Sequence, residues 1–227
     1  ESAERIIRMG ENPKYVKNFG APDVEFAAIV KSEITQSDLE KVGVGSQIDL
    51  GKDFLILMQH PVTTEKDNRA LMDATLDALI ELKLPTIAFW PNIDAGTDDV
   101  SNSIRRAREN SDINNYTRFL KYLPPEKFLA LLKKSRVLVG NSSAGLKECS
   151  YLGIPVVNIG NRQNGRRAGG HVRNVLAQAG VIKGAIISQW KVGRYPKDTF
   201  FYKKDSSKKI AHTLATIPLY IQKRFVE

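Results

Sequence analysis

Residues 140–148, Gly-Asn-Ser-Ser-Ala-Gly-Leu-Lys-Glu, gather two adjacent hydroxyls, two glycines and a carboxylate on one short stretch. An apolar run, Val137–Val139, comes before it and an amphipathic segment ending near Leu152 comes after it. That order reads as strand, small-residue loop and helix. Such a loop brings backbone N–H groups close to a ligand, and a helix behind it aims its positive end at the same point. The chemistry this asks for is anion binding, most directly of a phosphate. Ser142 and Ser143 add hydroxyl donors, and Gly145 permits close approach where a Cβ would intrude. Glu148 could accept from both hydroxyls of a ribose. The same residue types also serve as plain turn caps, and Glu148 as a surface or helix-end charge.

Other candidates stand elsewhere in the chain. Arg162 could pair with a phosphate through two parallel N–H donors, or be a solvated loop residue. Arg166 and Arg167 follow it. His60, directly before Pro61, suits hydrogen bonding or proton transfer. His171 and His212 read as structural. Asp94, Asp98 and Asp99 read as turn and N-cap residues around Gly96. Three histidines, one cysteine and no tight acidic cluster predict no metal site. The loop lacks the Lys-Ser/Thr of a nucleotide-hydrolysing P-loop, and no spaced Gly-x-Gly-x-x-Gly for a dinucleotide is present.

The elements that must carry these residues alternate. Phe54–Gln59 predicts a strand, and a helix follows over about 67–83, with Thr64 as N-cap and a stripe of Leu71, Ala74, Ala78 and Leu82. Thr86–Trp90 predicts a strand, Val100–Glu109 a basic helix and Thr117–Leu120 a short strand. Pro125–Lys134 reads as a helix with proline near its start. Val137–Val139, a helix over Gly145–Leu152 and a strand over Pro155–Ile159 come next, then a mostly helical Ser206–Arg224 broken at Pro218. Alternation of this kind predicts an α/β fold with a Rossmann-like, doubly wound parallel sheet, whose ligands bind beyond the C-terminal strand ends. His60, Asn92, Asp94, the Gly140–Gly145 loop and Gly160-Asn161-Arg162 all fall at that rim. Residues 1–50 are less regular and read as a connector feeding a domain of residues 51–227.

The bulk properties bound the function. The 34 Lys+Arg against 25 Asp+Glu give a net charge of +9, scattered along the chain rather than gathered with aromatics into a nucleic-acid stripe. Positive potential would draw in a small anionic substrate. No apolar run approaches the roughly 20 residues of a membrane span. Glu1 opens no signal-peptide pattern, so the start reads as processed or truncated. The lone Cys149 excludes an internal disulfide and fits a reducing, cytoplasmic setting.

Four segments in order complete the reading: His60-Pro61-Val62, Pro91-Asn92-Ile93-Asp94-Ala95-Gly96, Gly140–Glu148, and Gly160-Asn161-Arg162-Gln163-Asn164-Gly165-Arg166. Together they resemble the UDP-N-acetylglucosamine 2-epimerases, and in particular the hydrolysing, sialic-acid-type branch. Arg5-Ile6-Ile7-Arg8-Met9-Gly10-Glu11 resembles that family's lead into its second domain. The resemblance implies the C-terminal half of a two-domain glycosyltransferase-B-type enzyme, with a missing N-terminal half that holds the acidic proton-transfer residues. It implies that Ser142 and Ser143 hold the UDP phosphates, Glu148 the ribose, and Arg162 and Arg166 the nucleotide. The Leu123-Pro124-Pro125 region would border the uracil, with His60 and Asn92 facing the sugar diphosphate. The implied reaction eliminates UDP and hydrates the glycal to N-acetylmannosamine, with a UDP-sugar as ligand and no cofactor. It further implies a homo-oligomeric full-length protein and an inactive isolated half. A nucleotide-sugar glycosyltransferase half and a stand-alone nucleotide-sugar-binding or regulatory module are the alternatives. The family's Tyr-Gly-Asp/Lys-Gly is here Tyr202-Lys203-Lys204-Asp205, which predicts loss of a tight turn and leaves room for a bacillosamine-type sugar.

Overall fold

Short apolar runs flanked by amphipathic helices assemble here into a seven-stranded sheet with helices on both faces. A computed structural model describes residues 2–65 and 67–218. The elements in chain order are α1 (Ser2–Arg8), α2 (Pro22–Ile29), α3 (Gln36–Glu40), β1 (Val44–Gly45), β2 (Leu55–Met58) and α4 (Asn68–Leu82). Then follow β3 (Thr86–Phe89), α5 (Thr97–Asn110), β4 (Thr117–Leu120), α6 (Pro125–Lys134) and β5 (Val137–Gly140). The chain continues through α7 (Glu148–Leu152), β6 (Val156–Ile159), β7 (Val172–Val175), α8 (Ala179–Val192) and α9 (Ser206–Thr216).

The sheet order is β1-β4-β3-β2-β5-β6-β7, with every pair parallel except the antiparallel edge of β1 on β4. The chain builds outward from β2 through β3 and β4, then returns to β5 and builds the other way. Direction therefore reverses between β2 and β5, the place where open α/β sheets open a ligand crevice. Strand alternation fills two cores. Ile56, Leu138 and Val156 face α2, α3, α6 and α7, while Leu57, Val139 and Val157 face α4, α5 and α8.

The expected α/β class holds, and several local expectations are corrected. The N-cap of α4 is Asp67, whose carboxylate accepts from Ala70 N–H at 2.8 Å, not Thr64. Its buried stripe is Met72, Thr75, Leu76, Ala78 and Leu79, so only Ala78 of the expected set is fully covered. The expected helix over Gly145–Leu152 is a 3-10 turn, Ser143–Gly145, followed by the five-residue α7. The strand β7 and helix α8 went unread, since Val172-Arg173-Asn174-Val175 carries too few apolar residues for periodicity to register. The part of Ser206–Arg224 beyond residue 218 lies outside the described residues.

The turn at Tyr202–Asp205 survives without glycine. Asp205 adopts φ 61° and ψ 30°, the left-handed conformation that Asp tolerates better than most residues. Within residues 1–50, Val24, Ala27, Ile34, Leu39 and Ile48 are buried, and β1 forms the sheet's edge. Arg118 of β4, almost fully buried, donates to the carbonyls of Leu39, Glu40 and Val42 and ties this segment to the sheet.

Candidate functional site

The crevice between β2 and β5 is closed at its base by one side chain. Gly140 ends β5 at φ 125°, so close to β2 that a Cβ would lie 2.1 Å from the Met58 carbonyl. The next residue, Asn141, pairs with the backbone of His60: its Oδ1 accepts from His60 N–H and its Nδ2 donates to His60 O, both at 2.8 Å. An amide side chain thus continues the β2–β5 ladder one step beyond its end. The carbonyl of Asn141 in turn accepts from Arg162 Nη1 at 3.1 Å and Gln163 Nε2 at 2.6 Å. Three strand ends are wired together through this residue.

His60 is buried at 5% exposure, and its Nδ1 accepts from the Asn92 N–H at 3.2 Å. Nδ1 is therefore the unprotonated nitrogen of the neutral ring, and Nε2 carries the proton. Burial, helped by the Arg162 charge and opposed by Asp94, pushes the His60 pKa down to about 4. At neutral pH this is an uncharged hydrogen-bond donor. The Pro91–Gly96 loop that caps it is held by Thr97, whose hydroxyl donates to the Asn92 and Asp94 carbonyls. Gly96, not an acidic side chain, occupies the α5 N-cap position, which corrects the capping role expected for Asp94. Asp94 instead faces Arg162, with Oδ2 4.0 Å from Nη2.

Two cavities flank this knot. One, of about 520 Å³, lies against Pro61, Thr63, Thr64, Asp94, Asn161 and Arg162. The other, of about 650 Å³, lies against Ser143 and six cations: Arg5, Lys17, Lys147, Arg166, Arg167 and Lys203. No carboxylate is among its described lining residues. The structure thus brings Ser143 together with Arg166, and His60 with Asn92 and Arg162, on neighbouring stretches of one rim.

The Ser-rich turn is built differently from the expected helix start. Gly145 N–H donates to Ser142 O, and both Leu146 and Lys147 N–H donate to Ser143 O. These amides are satisfied internally, and a five-residue helix adds little dipole. The Ser142 and Ser143 hydroxyls are the donors best left for an anion, although Ser142 Oγ also accepts from Ala144 N–H at 3.4 Å. Gly145 is buried beneath the turn, where a Cβ would lie 2.9 Å from Val156 Cγ1. The close approach that its glycine permits is to the sheet.

Glu148 stands one turn further on, at the start of α7. Its Oε2 is buried with no hydrogen-bond partner. Burial raises its pKa, and the neighbouring Asp23 adds to the rise. Lys147 is turned to Asp23 at 2.8 Å. A buried carboxylate oxygen without a donor is costly in a folded chain and marks a place for one. Gln163 Oε1 is a second such acceptor, in the Asn141 knot. Cys149 is wholly buried and its thiol pushed well up, so it is no nucleophile. Among the described residues no group of His, Cys, Asp and Glu is gathered for a metal.

Sequence reasoning placed Asp94 at the rim but gave no role to Asn141 or Gln163, although each adjoins a residue that it singled out. The position of Asn141, directly after the glycine that ends β5, was the available signal. Leu123 turns into the core, leaving Tyr122 exposed at the β4 rim.

A family model described as UDP-N-acetylglucosamine 2-epimerase matches residues 1–215. A UDP-N-acetylglucosamine 2-epimerase from Neisseria meningitidis serogroup B is 28% identical over 100% of this chain and 59% of its own length. A hydrolysing UDP-N,N'-diacetylbacillosamine 2-epimerase from Legionella pneumophila is also 28% identical, over 97% of this chain and 57% of its own. The chain therefore spans little more than half of these relatives. Among solved structures, that of UDP-GlcNAc 2-epimerase from Neisseria meningitidis bound to UDP-GlcNAc superposes with a TM-score of 0.68 at 15% identity, covering 94% of this chain and 59% of that one.

Proposed function

This chain belongs to the UDP-N-acetylglucosamine 2-epimerase family, and on that premise we propose that it is the part of such an enzyme that grips the UDP of a UDP-2-acetamido sugar. The observation that carries the reading is the buried, unpartnered Oε2 of Glu148 beside the Ser142-Ser143 turn. A ribose hydroxyl supplies the donor that this oxygen lacks. The serine hydroxyls, with Arg162 and Arg166, then take the diphosphate, whose charge the six-cation cavity complements. His60 and Asn92 face the sugar side, with the His60 Nε2–H as an uncharged donor.

In the hydrolysing reaction we assign, a base removes the C2 proton while the C1–O bond breaks and its electron pair leaves on the UDP β-phosphate. Water then adds across the glycal double bond, a proton at C2 and a hydroxyl at C1, releasing N-acetylmannosamine. Donors aimed at the departing diphosphate lower the barrier to that first step. The proton-moving acids belong, on this reading, to an N-terminal half joined through residues 1–50, so the chain alone binds UDP without turnover. A homo-oligomeric whole enzyme and a cytoplasmic setting fit the same reading.

Calorimetric titration of UDP into the chain and its Ser143→Ala and Glu148→Ala variants tests the site. Saturable binding that weakens in both variants supports it, and unchanged affinity in both removes the turn from the site. Proton NMR of the products of the two-domain enzyme separates the chemistries. Free UDP with the 2-epimeric amino sugar supports hydrolysis, whereas UDP still joined to the epimer overturns it. Offering the UDP-GlcNAc and UDP-diacetylbacillosamine substrates in parallel identifies the sugar.

A further inference from the structure

His171, read from the sequence as structural, makes a side-chain contact that its sequence context did not suggest. It lies between the arginine-bearing loop 162–167 and β7, at 3% exposure. Its Nε2 is 2.9 Å from the Gly145 carbonyl. A carbonyl only accepts, so Nε2 carries the proton and the imidazole donates. That bond reaches from the arginine loop's end to the middle of the Ser143–Gly145 turn. We propose that His171 is a positioning residue: its ring holds the Gly145 carbonyl and so fixes the turn that presents Ser143 and sets the start of α7 at Glu148. The proposal rests on the UDP-binding reading above.

Three features separate this from general packing. The fold-bearing bonds of His171 are made by its backbone carbonyl, which accepts from Val156 N–H and Gln189 Nε2, both at 2.9 Å. The ring makes a different bond, to the turn. The turn itself cannot shift downward, because Gly145 already touches Val156 and has no room for a Cβ. It is therefore clamped from beneath by the sheet and held at its carbonyl by the imidazole. The other ring nitrogen, Nδ1, faces Gly169, where a Cβ would lie only 2.9 Å away. Burial lowers the His171 pKa, consistent with a neutral ring and a single donated proton.

The test compares wild type with His171→Leu, which removes the donor, and His171→Gln, which restores an N–H near the Nε2 position. Amide hydrogen exchange reads the turn without ligand. In His171→Leu the Gly145, Leu146 and Lys147 amides are expected to exchange about tenfold faster while the β2 and β5 amides keep their rates. His171→Gln should return the turn amides to within about twofold of wild type. UDP titration reads the consequence, an affinity loss of about tenfold in His171→Leu with recovery in His171→Gln. Unchanged exchange at the turn overturns the proposal, as does altered exchange with undiminished UDP affinity. Failure of wild type to bind UDP counts against the UDP reading alone, and the exchange result still decides the role of His171. Should His171→Leu not fold, Gly169→Ala displaces the ring by steric contact and meets the same two readouts.

Discussion

Two corners of the same rim are built in opposite ways. At the β2–β5 junction, Asn141 uses both ends of its amide and its backbone carbonyl, and His60 is held through its N–H, its carbonyl and its Nδ1. At the start of α7, Glu148 is buried with an oxygen that nothing donates to. Each of these Asn141 and His60 atoms is paired, and among the described residues the knot's one buried acceptor without a donor is Gln163 Oε1. An unsatisfied corner is destabilised until something arrives. The comparison teaches that the two corners differ in how their buried polar atoms are paired; on the proposed UDP reading, the knot sets geometry and the unpartnered carboxylate favours occupancy.

The largest effect that could break this contrast is on stability. Asn141→Leu leaves the His60 N–H and carbonyl unpaired in a buried place and should cost about 3 kcal/mol, read as a clear drop in Tm by calorimetry. A loss no greater than that of an average surface change would undo the idea of a knot. Next is acidity. His60 titrates near 6.5 when unfolded and about 4 when folded, so the unfolded chain takes the proton first as pH falls. Stability should be full above pH 6.5 and decline by roughly 3 kcal/mol on the way to pH 4, with His171 adding in the same direction. Denaturant titrations across that range check it, and His60→Gln should flatten the slope.

Glu148→Gln sharpens the contrast because its two effects oppose each other. Removing a buried charge whose pKa is raised by burial should increase Tm slightly at neutral pH, while UDP affinity falls about tenfold. A variant that loses stability as well would equate the two corners. Smallest is Arg166→Ala, an exposed residue on the cationic cavity, which should weaken UDP about threefold without moving Tm.

Much of the architecture was legible because it rests on patterns with a physical period. The strands β2, β3, β5 and β6 are largely apolar runs, and α6 announces itself with Pro125. What escaped were elements with weak patterns: β7, with Arg173 and Asn174 exposed, and α8, apolar on nearly all sides. In the site, the types of Ser142, Ser143, Glu148 and Arg162 were enough to suggest an anion and a diol. Their arrangement was not, because it depends on contacts far apart in sequence. Asn141 meets His60 across 81 positions, and His171 meets Gly145 across 26. Spacing along the chain encodes none of that. The Tyr202–Asp205 turn shows the reverse error, where a missing glycine suggested a lost turn that Asp205 makes by itself.

The account turns on Glu148 accepting a ribose diol. The direct measurement is the affinity of UDP and of its 2′,3′-dideoxy analogue for wild type and for Glu148→Gln. Removal of the diol should cost wild type about tenfold and the variant almost nothing, because the groups lost are each other's partners. An equal loss in both proteins would contradict the account, and would leave the buried oxygen of Glu148 without the ligand assigned to it.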